Sequence, residues 1–354
     1  MNSITNTKPN LNKEQVLSLC YQSLEAAQKH LNLLTSVATS IAAPGGPIEP
    51  KRLVEHQYAL HGYAWMATYI TALREFLNWA ERLKSKGLLD DLEILILQCG
   101  FGSYLKQLRY GIAMSQDEFA RPTDLGIIDA ADLNTPEIDE LICRGDTIGV
   151  RQNIAIILSE RLGTRSFGNL SLDDTHTIIR DQFSRFSDER VAPEAQAWHI
   201  ADDLIPIEII MEMSDLGVFG LTLPEEDGGL GLDKTAMCIV TEELSRGYIG
   251  VGSLSTRSEI AAELIRYNGT NEQKERYLVP IASGSILPTA VFTEPNHGSD
   301  LAHIRTRAEY IKNNYKITGN KIWITHGARS DLMTLLARTN NEDDGYGGLS
   351  MFLA

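Results

Sequence analysis

The hydrophobic repeat changes period once along the chain, near Leu287, and this change limits the possible folds more than any other feature. Before it, apolar residues recur at steps of three and four over long stretches, which is typical of amphipathic helices. After it, short apolar segments alternate with turn residues, which is typical of β-strands. We therefore predict a mainly α-helical chain with a β part, helical up to about residue 285 and followed by the start of an antiparallel sheet.

Long amphipathic helices are predicted for the first part of the chain. The run from Ala43 to Pro47 holds two prolines and two glycines and should end the first helix, and Gly87 should end the second. The predicted buried stripe of the second helix is Tyr58, Trp65, Tyr69, Leu73, Phe76, Ala80 and Leu83. The predicted helices cover residues 14–41, 50–84, 90–108, 136–143 and 150–162.

A polar segment from Gly163 to Asp174 is the best candidate for a domain boundary, because it is rich in Gly, Ser, Asp and Asn. Ser171 to Asp174 resembles a capping box that starts the next helix, and Thr270 with Gln273 resembles another. Further helices are predicted from Pro206 to Gly217 and over residues 233–247, 252–267 and 271–283.

The last part of the chain carries strand patterns. Tyr315–Thr318, a turn at Gly319–Asn320 and Lys321–Thr325 predict a hairpin, with further strands at Leu287–Thr293 and Asp331–Arg338. Residues 348–354 have the pattern of a strand with no stop signal after it, so we expect a chain cut before a further domain.

Composition argues against several classes of protein. A net charge of -15 disfavours nucleic-acid binding, which needs a basic surface. No stretch is apolar enough for a membrane span, and residues 1–10 lack the apolar core of a signal peptide, so we expect a cytoplasmic protein. Scattered cysteines favour reduced buried thiols, and His56 and His61 favour core or interface histidines over a metal pair. The cysteines are Cys20, Cys99, Cys143 and Cys238.

A loop and a strand carry the clearest chemical pattern. From Phe292 to Asp300 a strand ends at Thr293, Pro295 turns the chain, and Gly298-Ser299 allows close backbone approach to a planar polar ligand. An ordinary hairpin loop is the alternative. Trp323-Ile324-Thr325 places an aromatic, an aliphatic and a hydroxyl side chain in succession, and simple core-and-surface alternation would explain that pattern too.

Together these segments resemble the signature pair of the acyl-CoA dehydrogenase family. The motif Thr-Glu-Pro-x-x-Gly-Ser-Asp from Thr293 to Asp300 is followed by Gly-Asn-Lys-Ile-Trp-Ile-Thr, ending at Thr325, and the loop from Pro224 to Gly231 lies upstream as in that family. The resemblance covers about residues 172–354. It implies a helical extension (1–165), the family's N-terminal helical domain (172–286) and an incomplete middle β-domain (287–354), with the C-terminal four-helix domain missing.

The resemblance also implies FAD as cofactor and assigns roles to residues. Phe292 and Thr293 would face the polar edge of the flavin, with Gly298 and Ser299 in the adjoining turn, and Ser299 would also contact the pantetheine of the acyl-CoA substrate. Trp323 and Ile324 would lie at the ring system, and Thr325 would hydrogen-bond near the hydride-accepting nitrogen. Glu225 matches a position near the end of the acyl pocket, with a solvated loop carboxylate as the alternative. His297 is expected to face solvent.

The same resemblance implies a glutamate base, which we expect beyond Ala354, so no catalytic residue is assigned in this chain. Glu242 and Glu243 are interpreted as the solvated face of a helix. Family membership further implies electrons passed to electron-transfer flavoprotein and a homo-oligomer, a dimer or tetramer.

The substrate is predicted from two further features. Residues 56–69, 114–116 and 121–126 resemble the N-terminal extension of the (2S)-methylsuccinyl-CoA dehydrogenases, which form mesaconyl-CoA. That substrate carries a free carboxylate, and a buried anion needs a cation or several donors. We predict that Arg257, with Thr256, binds it; a surface arginine paired with Glu259 or Glu263 is the alternative.

Other functions stay open at this point. A dehydrogenase of isovaleryl-CoA or another short acyl-CoA and an acyl-CoA oxidase are near relatives of the first interpretation. A different class is a non-catalytic scaffold of this family, with residues 1–165 as an interaction module.

Overall fold

The computed structural model describes residues 11–128, 130–164, 167–343 and 345–354. The chain forms two compact units, residues 1–171 and 172–354. The sequence analysis of residues 1–10, and of Arg165 and Ser166 in the expected boundary segment, lies outside the described residues. The mainly helical class with a β part is confirmed. Among the described helices none is both long and apolar enough to cross a membrane.

The first unit is built from helices and one small β-ladder. The first helix buries one apolar face, with no exposed surface left on Val16, Cys20 or Leu34. Asn12 caps this helix in a capping box with Gln15. The helices are α1 (Lys13–Ala42), α2 (Pro50–Glu55), α3 (Gln57–Ser85), α4 (Asp91–Tyr110), α5 (Pro136–Arg144) and α6 (Ile148–Glu160), and β1 (Ile112–Ala113) pairs antiparallel with β2 (Phe119–Ala120).

The second predicted helix differs from expectation in two ways. It is interrupted at His56, which separates α2 from α3. Its predicted stripe is wrong at the N-terminal end, where Tyr58 and Trp65 are exposed and Met66 and Ile70 are buried instead. The two aromatic side chains carry polar atoms that find partners outside the core, since Tyr58 donates to the Phe119 carbonyl oxygen and Trp65 to His61 Nε2.

The cysteines and histidines of this unit also correct the sequence interpretation. Cys20 is buried, but Cys143 is exposed, as is Cys238 in the second unit, so buried thiols are only part of the set. His56 and His61 are both exposed, so a place in the core is wrong for them, while a place in an interface stays a prediction. In the described parts of the chain, no group of three or more potential ligands could hold a metal ion.

The second unit begins with helices whose starts are set by side-chain caps. Asp173, not Ser171, caps the first of them, and Ser171 instead has a left-handed backbone with φ 61°. The predicted capping box of Thr270 and Gln273 is confirmed. The helices are α7 (Asp174–Phe186), continued by a π-helical turn at Ser187–Val191, α8 (Ala192–Ala201), α9 (Ile207–Asp215), α10 (Lys234–Gly247), α11 (Ile249–Asn268) and α12 (Asn271–Ala282).

The sheet of the second unit is mixed, so the expected antiparallel sheet is only partly right. β6 runs parallel to β3 and β4 and antiparallel to β7, and β4 pairs antiparallel with β5. The predicted hairpin is wrong, because β5 pairs with the strand before it across a turn at Lys312 and Asn313, both with positive φ. The strands are β3 (Pro288–Val291), β4 (Arg307–Ile311), β5 (Asn314–Thr318), β6 (Leu332–Arg338) and β7 (Leu349–Leu353).

A histidine joins two helix starts in this unit. His176 Nδ1 lies 2.8 Å from Asp173 Oδ1, and its Nε2 lies 2.9 Å from Asp233 Oδ1. Both aspartates are N-caps, of α7 and α10. The hydrogen bond with Asp233 and the charges of both aspartates raise the pKa of His176. A protonated His176 therefore ties the two N-termini together.

We expect the stabilising effect of His176 to fade as the pH rises. Because its folded-state pKa lies above the usual value of about 6.5, this contribution is fully present below about pH 6.5 and is lost as the pH rises through the raised pKa. The difference in Tm between the protein and its His176→Gln variant, measured by calorimetry, should be larger at about pH 6 than at about pH 9. A difference that grows with pH would contradict this assignment.

Candidate functional site

The predicted strand-end loop follows β3 directly. Its base is closed by a pair of backbone hydrogen bonds, Glu294 N–H to the His297 oxygen at 3.0 Å and His297 N–H to the Glu294 oxygen at 3.1 Å. Gly298 and Ser299 beyond this closure are exposed, and Phe292 and Thr293 before it are partly buried. The loop thus offers an accessible turn beside a fixed strand end.

Residues 321–326 run beside this loop without forming a strand. The Ile322 N–H donates to the Thr293 oxygen at 3.0 Å, and Lys321 Nζ donates to the Phe292 oxygen at 2.8 Å. The predicted strand at Lys321–Thr325 is therefore wrong in conformation, although the two motifs do lie side by side. The reason is local, since Trp323 and His326 adopt left-handed backbones with φ 58° and 63°.

Among the described residues of the second unit, Trp323 is the most exposed large hydrophobic side chain, with 85% of its surface exposed. A left-handed conformation costs a residue with a side chain about 1–2 kcal/mol. Strained backbone of this kind is concentrated at binding sites, where surrounding contacts maintain it. Together the exposure and the strain favour a ligand-binding surface over a simple alternation of core and surface. Ile324, the next residue, is partly buried.

A buried ion pair supports the loop from beneath. Glu294 is 5% exposed and accepts from the Arg305 and Thr306 N–H groups at 2.7 and 2.8 Å and from Lys321 Nζ at 3.1 Å. Burial by itself raises the pKa of Glu294, but the hydrogen bonds from Thr306, Arg305 and Lys321 outweigh it and lower that pKa to about 2. Burial also lowers the pKa of Lys321, against the charge of Glu294.

Arg257 reaches the same segment from α11. Its Nη2 donates to Thr325 Oγ1 at 3.2 Å, and its Nε is buried without a hydrogen-bond partner among the described residues. An arginine can only donate, so Thr325 accepts this bond and keeps its own O–H as a donor, for which no described residue supplies an acceptor. The arrangement presents unused donors from a hydroxyl and from a cation.

The alternative pairing of Arg257 does not occur. Glu259 and Glu263 both form ion pairs with Lys234, and Thr222 also donates to Glu259. Both of these carboxylates on α11 are thereby paired with another cation. Arg257 consequently points its guanidinium at the Thr325 side chain instead of at a surface acid.

Other predicted residues lie apart or are otherwise engaged. The Thr256 hydroxyl donates to the Ser253 oxygen within α11 at 2.8 Å, so it has no proton for a carboxylate in this conformation. Glu225 is exposed on a loop held by the Asp227–Arg266 ion pair, and Arg266 lies about 14 Å from Arg257 along α11. No hydrogen bond or ion pair of the described residues joins Glu225 to the loop at Thr293.

Two expectations about side chains need correction. His297 is only partly exposed, and its Nε2 is buried without a partner among the described residues. Glu243 is not on a solvated face, because it is 4% exposed and lies between Arg180 and Arg246, with Nε to carboxylate distances of 3.1 and 3.0 Å. Its neighbour Glu242 is exposed, as expected.

Sequence reasoning missed the residues beneath the site. Thr289 is fully buried, and its hydroxyl donates to the Thr325 carbonyl oxygen. Glu294 and Lys321 were visible as members of the two motifs, but nothing in their spacing showed that they pair with each other. Thr289 carried no sequence signal beyond its place in an apolar strand.

Comparison with known proteins identifies the family. The family model described as acyl-CoA dehydrogenase, N-terminal domain, matches residues 173–285, and that of the acyl-CoA dehydrogenase middle domain matches residues 289–354. The matches include the loop at Thr293 and the segment at Trp323. The chain belongs to the acyl-CoA dehydrogenase family.

Individual relatives extend this result. A (2S)-methylsuccinyl-CoA dehydrogenase of Cereibacter sphaeroides is 50% identical over 341 residues, which cover 96% of this chain and 62% of that protein. A benzylmalonyl-CoA dehydrogenase of Aromatoleum aromaticum is 35% identical over 175 residues, 49% of this chain and 46% of the relative. The chain thus spans roughly half to three-fifths of the length of these relatives. Among solved structures, a glutaryl-CoA dehydrogenase of Mycobacterium smegmatis is similar with 32% identity and a TM-score of 0.47, over 52% of this chain and 46% of that one.

Proposed function

We propose that this protein takes part in the FAD-dependent dehydrogenation of an acyl-CoA thioester between its α and β carbons. The observation that carries the proposal is the juxtaposition of the Thr293 loop, the exposed Trp323 and the unused donor of Thr325 in a chain of this family. The bound FAD would supply the oxidising equivalent by accepting a hydride from the β carbon, while a base removes the α proton.

The residues present fit such a cofactor. The loop at Phe292 and Thr293 would bind the polar edge of the flavin. The side chain of Trp323, which is exposed in the free chain, would pack against the flavin ring system. Thr325 would donate its hydroxyl proton to the flavin, which stabilises an electron-rich reduced ring. Gly298 and Ser299 would admit the pantetheine arm. Glu243 is not a candidate for the base, because its carboxylate is buried and paired with two arginines.

The substrate that we propose is (2S)-methylsuccinyl-CoA, oxidised to mesaconyl-CoA. Support comes from the similarity to the Cereibacter enzyme, which extends over 96% of the chain and so includes the helical first unit. Arg257 would bind the free carboxylate of the substrate, because its Nε has no partner among the described residues and its charge is not matched by a neighbouring acid on α11. Electron-transfer flavoprotein would then accept the electrons.

The domain organisation that goes with this proposal has three parts. Residues 1–165 would form the extension typical of that subfamily, residues 172–286 the N-terminal helical domain, and residues 287–354 part of the middle β-domain. A homo-oligomer is part of the same proposal.

The cofactor proposal is tested by the colour of the full-length gene product. We expect a yellow protein, or one that becomes yellow on reconstitution with FAD, whose visible flavin absorption is bleached anaerobically by (2S)-methylsuccinyl-CoA. Isovaleryl-CoA and butyryl-CoA serve as comparison substrates, and peroxide formation in air distinguishes an oxidase. A colourless protein that cannot be reconstituted would overturn the proposal.

A further inference from the structure

The conformation of residues 321–326 is not maintained by regular secondary structure. The segment follows Gly319–Asn320 and enters the turn at residues 325–329, and two of its residues have left-handed backbones. A free peptide of this sequence would relax to a less strained form, because the left-handed conformation is unfavourable for tryptophan and histidine. Something outside the segment must therefore maintain it.

Two sets of side-chain contacts do so, one at each end. At the start, Lys321 Nζ is bound by Glu294 and by the Phe292 oxygen. At the end, the Thr289 hydroxyl donates to the Thr325 carbonyl oxygen. Only Ile322, Trp323 and Ile324 lie between these anchors.

Both anchors are buried and themselves held in place. Glu294 is additionally fixed by the N–H groups of Arg305 and Thr306. Thr289 lies on β3, and its backbone is held by the parallel pairing of β3 with β6, to which the Thr334 hydroxyl adds a single bond to the Thr289 carbonyl oxygen at 3.2 Å. Thr289 and Thr334 have no exposed surface, so these bonds are formed away from water. Hydrogen bonds in such surroundings are costly to break without replacement.

We propose that Thr289 and the Glu294–Lys321 pair are positioning residues that hold residues 321–326, and with them Trp323 and Thr325, in the ligand-binding conformation. In this proposal they bind the segment and not the substrate or the cofactor. This positioning role rests on the proposed function only for the identity of the ligand. The anchoring contacts themselves are formed in the chain without a ligand. Preorganisation of this kind increases affinity by removing an ordering cost from the binding step.

The first test compares two isosteric substitutions on neighbouring strands. Thr289→Val removes the hydroxyl that reaches Thr325, and Thr334→Val removes one that is equally buried but does not reach the segment. Hydrogen–deuterium exchange of peptides over residues 319–327 reports on the Ile322 N–H, which is bound to the Thr293 oxygen. We expect Thr289→Val to speed this exchange about tenfold and Thr334→Val to change it less than about twofold.

Further arms separate positioning from general loss of structure. Thr289→Ser keeps the hydroxyl and should restore slow exchange, and peptides over β6 should exchange alike in every variant. Glu294→Gln should also speed exchange at residues 319–327, with the exposed Glu309→Gln as its control. Equal effects of Thr289→Val and Thr334→Val, or no effect of Glu294→Gln, would overturn the inference.

A second readout uses the flavin-loaded full-length protein. Thr289→Val should weaken FAD binding about tenfold relative to Thr334→Val, since the unbound segment would populate other conformations. If the exchange experiment confirms the anchoring but the full-length protein does not bind FAD, the proposed function is refuted and the positioning role is not. FAD binding that Thr289→Val leaves unchanged would refute the positioning role alone.

Discussion

Replacing Arg257 with alanine should lower kcat/KM for (2S)-methylsuccinyl-CoA about 100-fold in the full-length protein. A hydrogen bond to a charged group contributes up to about 3 kcal/mol, and about 1.4 kcal/mol corresponds to a factor of ten. The carboxylate of the substrate would otherwise enter a partly buried site without a cation. Butyryl-CoA has no such carboxylate, so its kcat/KM should change less than about threefold.

The measurement is the ratio of kcat/KM for the two substrates, which cancels effects on folding or flavin content. Arg276→Ala is a suitable control, because Arg276 is an exposed arginine on α12. A preference for methylsuccinyl-CoA that survives in Arg257→Ala would show that the arginine has another role.

The second large effect concerns stability. Glu243→Gln should lower the free energy of unfolding by about 3 kcal/mol, because removing one partner of a buried ion pair leaves the other charges unmatched. Arg180, with a side chain 18% exposed, would lose its principal partner. Arg246 would lose less, since it is 46% exposed and also pairs with Asp188 at 2.6 Å.

The adjacent residue supplies the control for this prediction. Glu242 lies 4.0 Å from Arg180 and its side chain is 64% exposed, so Glu242→Gln should change stability by less than about 0.5 kcal/mol. Urea unfolding followed by circular dichroism measures both variants under the same conditions. Equal destabilisation by the two substitutions would contradict the assignment of Glu243 as a buried anchor between α7 and α10.

Part of the site could be predicted because its signals are local. The order of residues from Thr293 to Asp300 and from Gly319 to Thr325 is contiguous, and each motif can be recognised without knowing what it packs against. Arg257 was predicted as the cation that binds the free carboxylate of the substrate, and the structure places it against Thr325. Its role as a carboxylate ligand stays a prediction.

The errors have a common physical origin. The hairpin was placed at Gly319–Asn320 because those residues favour turns, but Lys312–Asn313 forms the turn, since pairing of β5 with β4 depends on the whole register. Glu243 was assigned to solvent because it is charged, and the two arginines that neutralise it come from 63 residues earlier and from the next helical turn. The distant partner, Arg180, cannot be read from a local pattern.

The sequence by itself determined the change from helices to sheet, the cap at Thr270 and the two motifs of the family, because these depend on residues within a few positions of each other. Only the tertiary structure decided that Lys321 pairs with Glu294, that Thr289 holds Thr325, and that Trp323 is strained and exposed. The physical reason is that burial and long-range hydrogen bonds depend on how distant segments pack. The contact between Arg257 and Thr325, 68 residues apart, is an example of such packing.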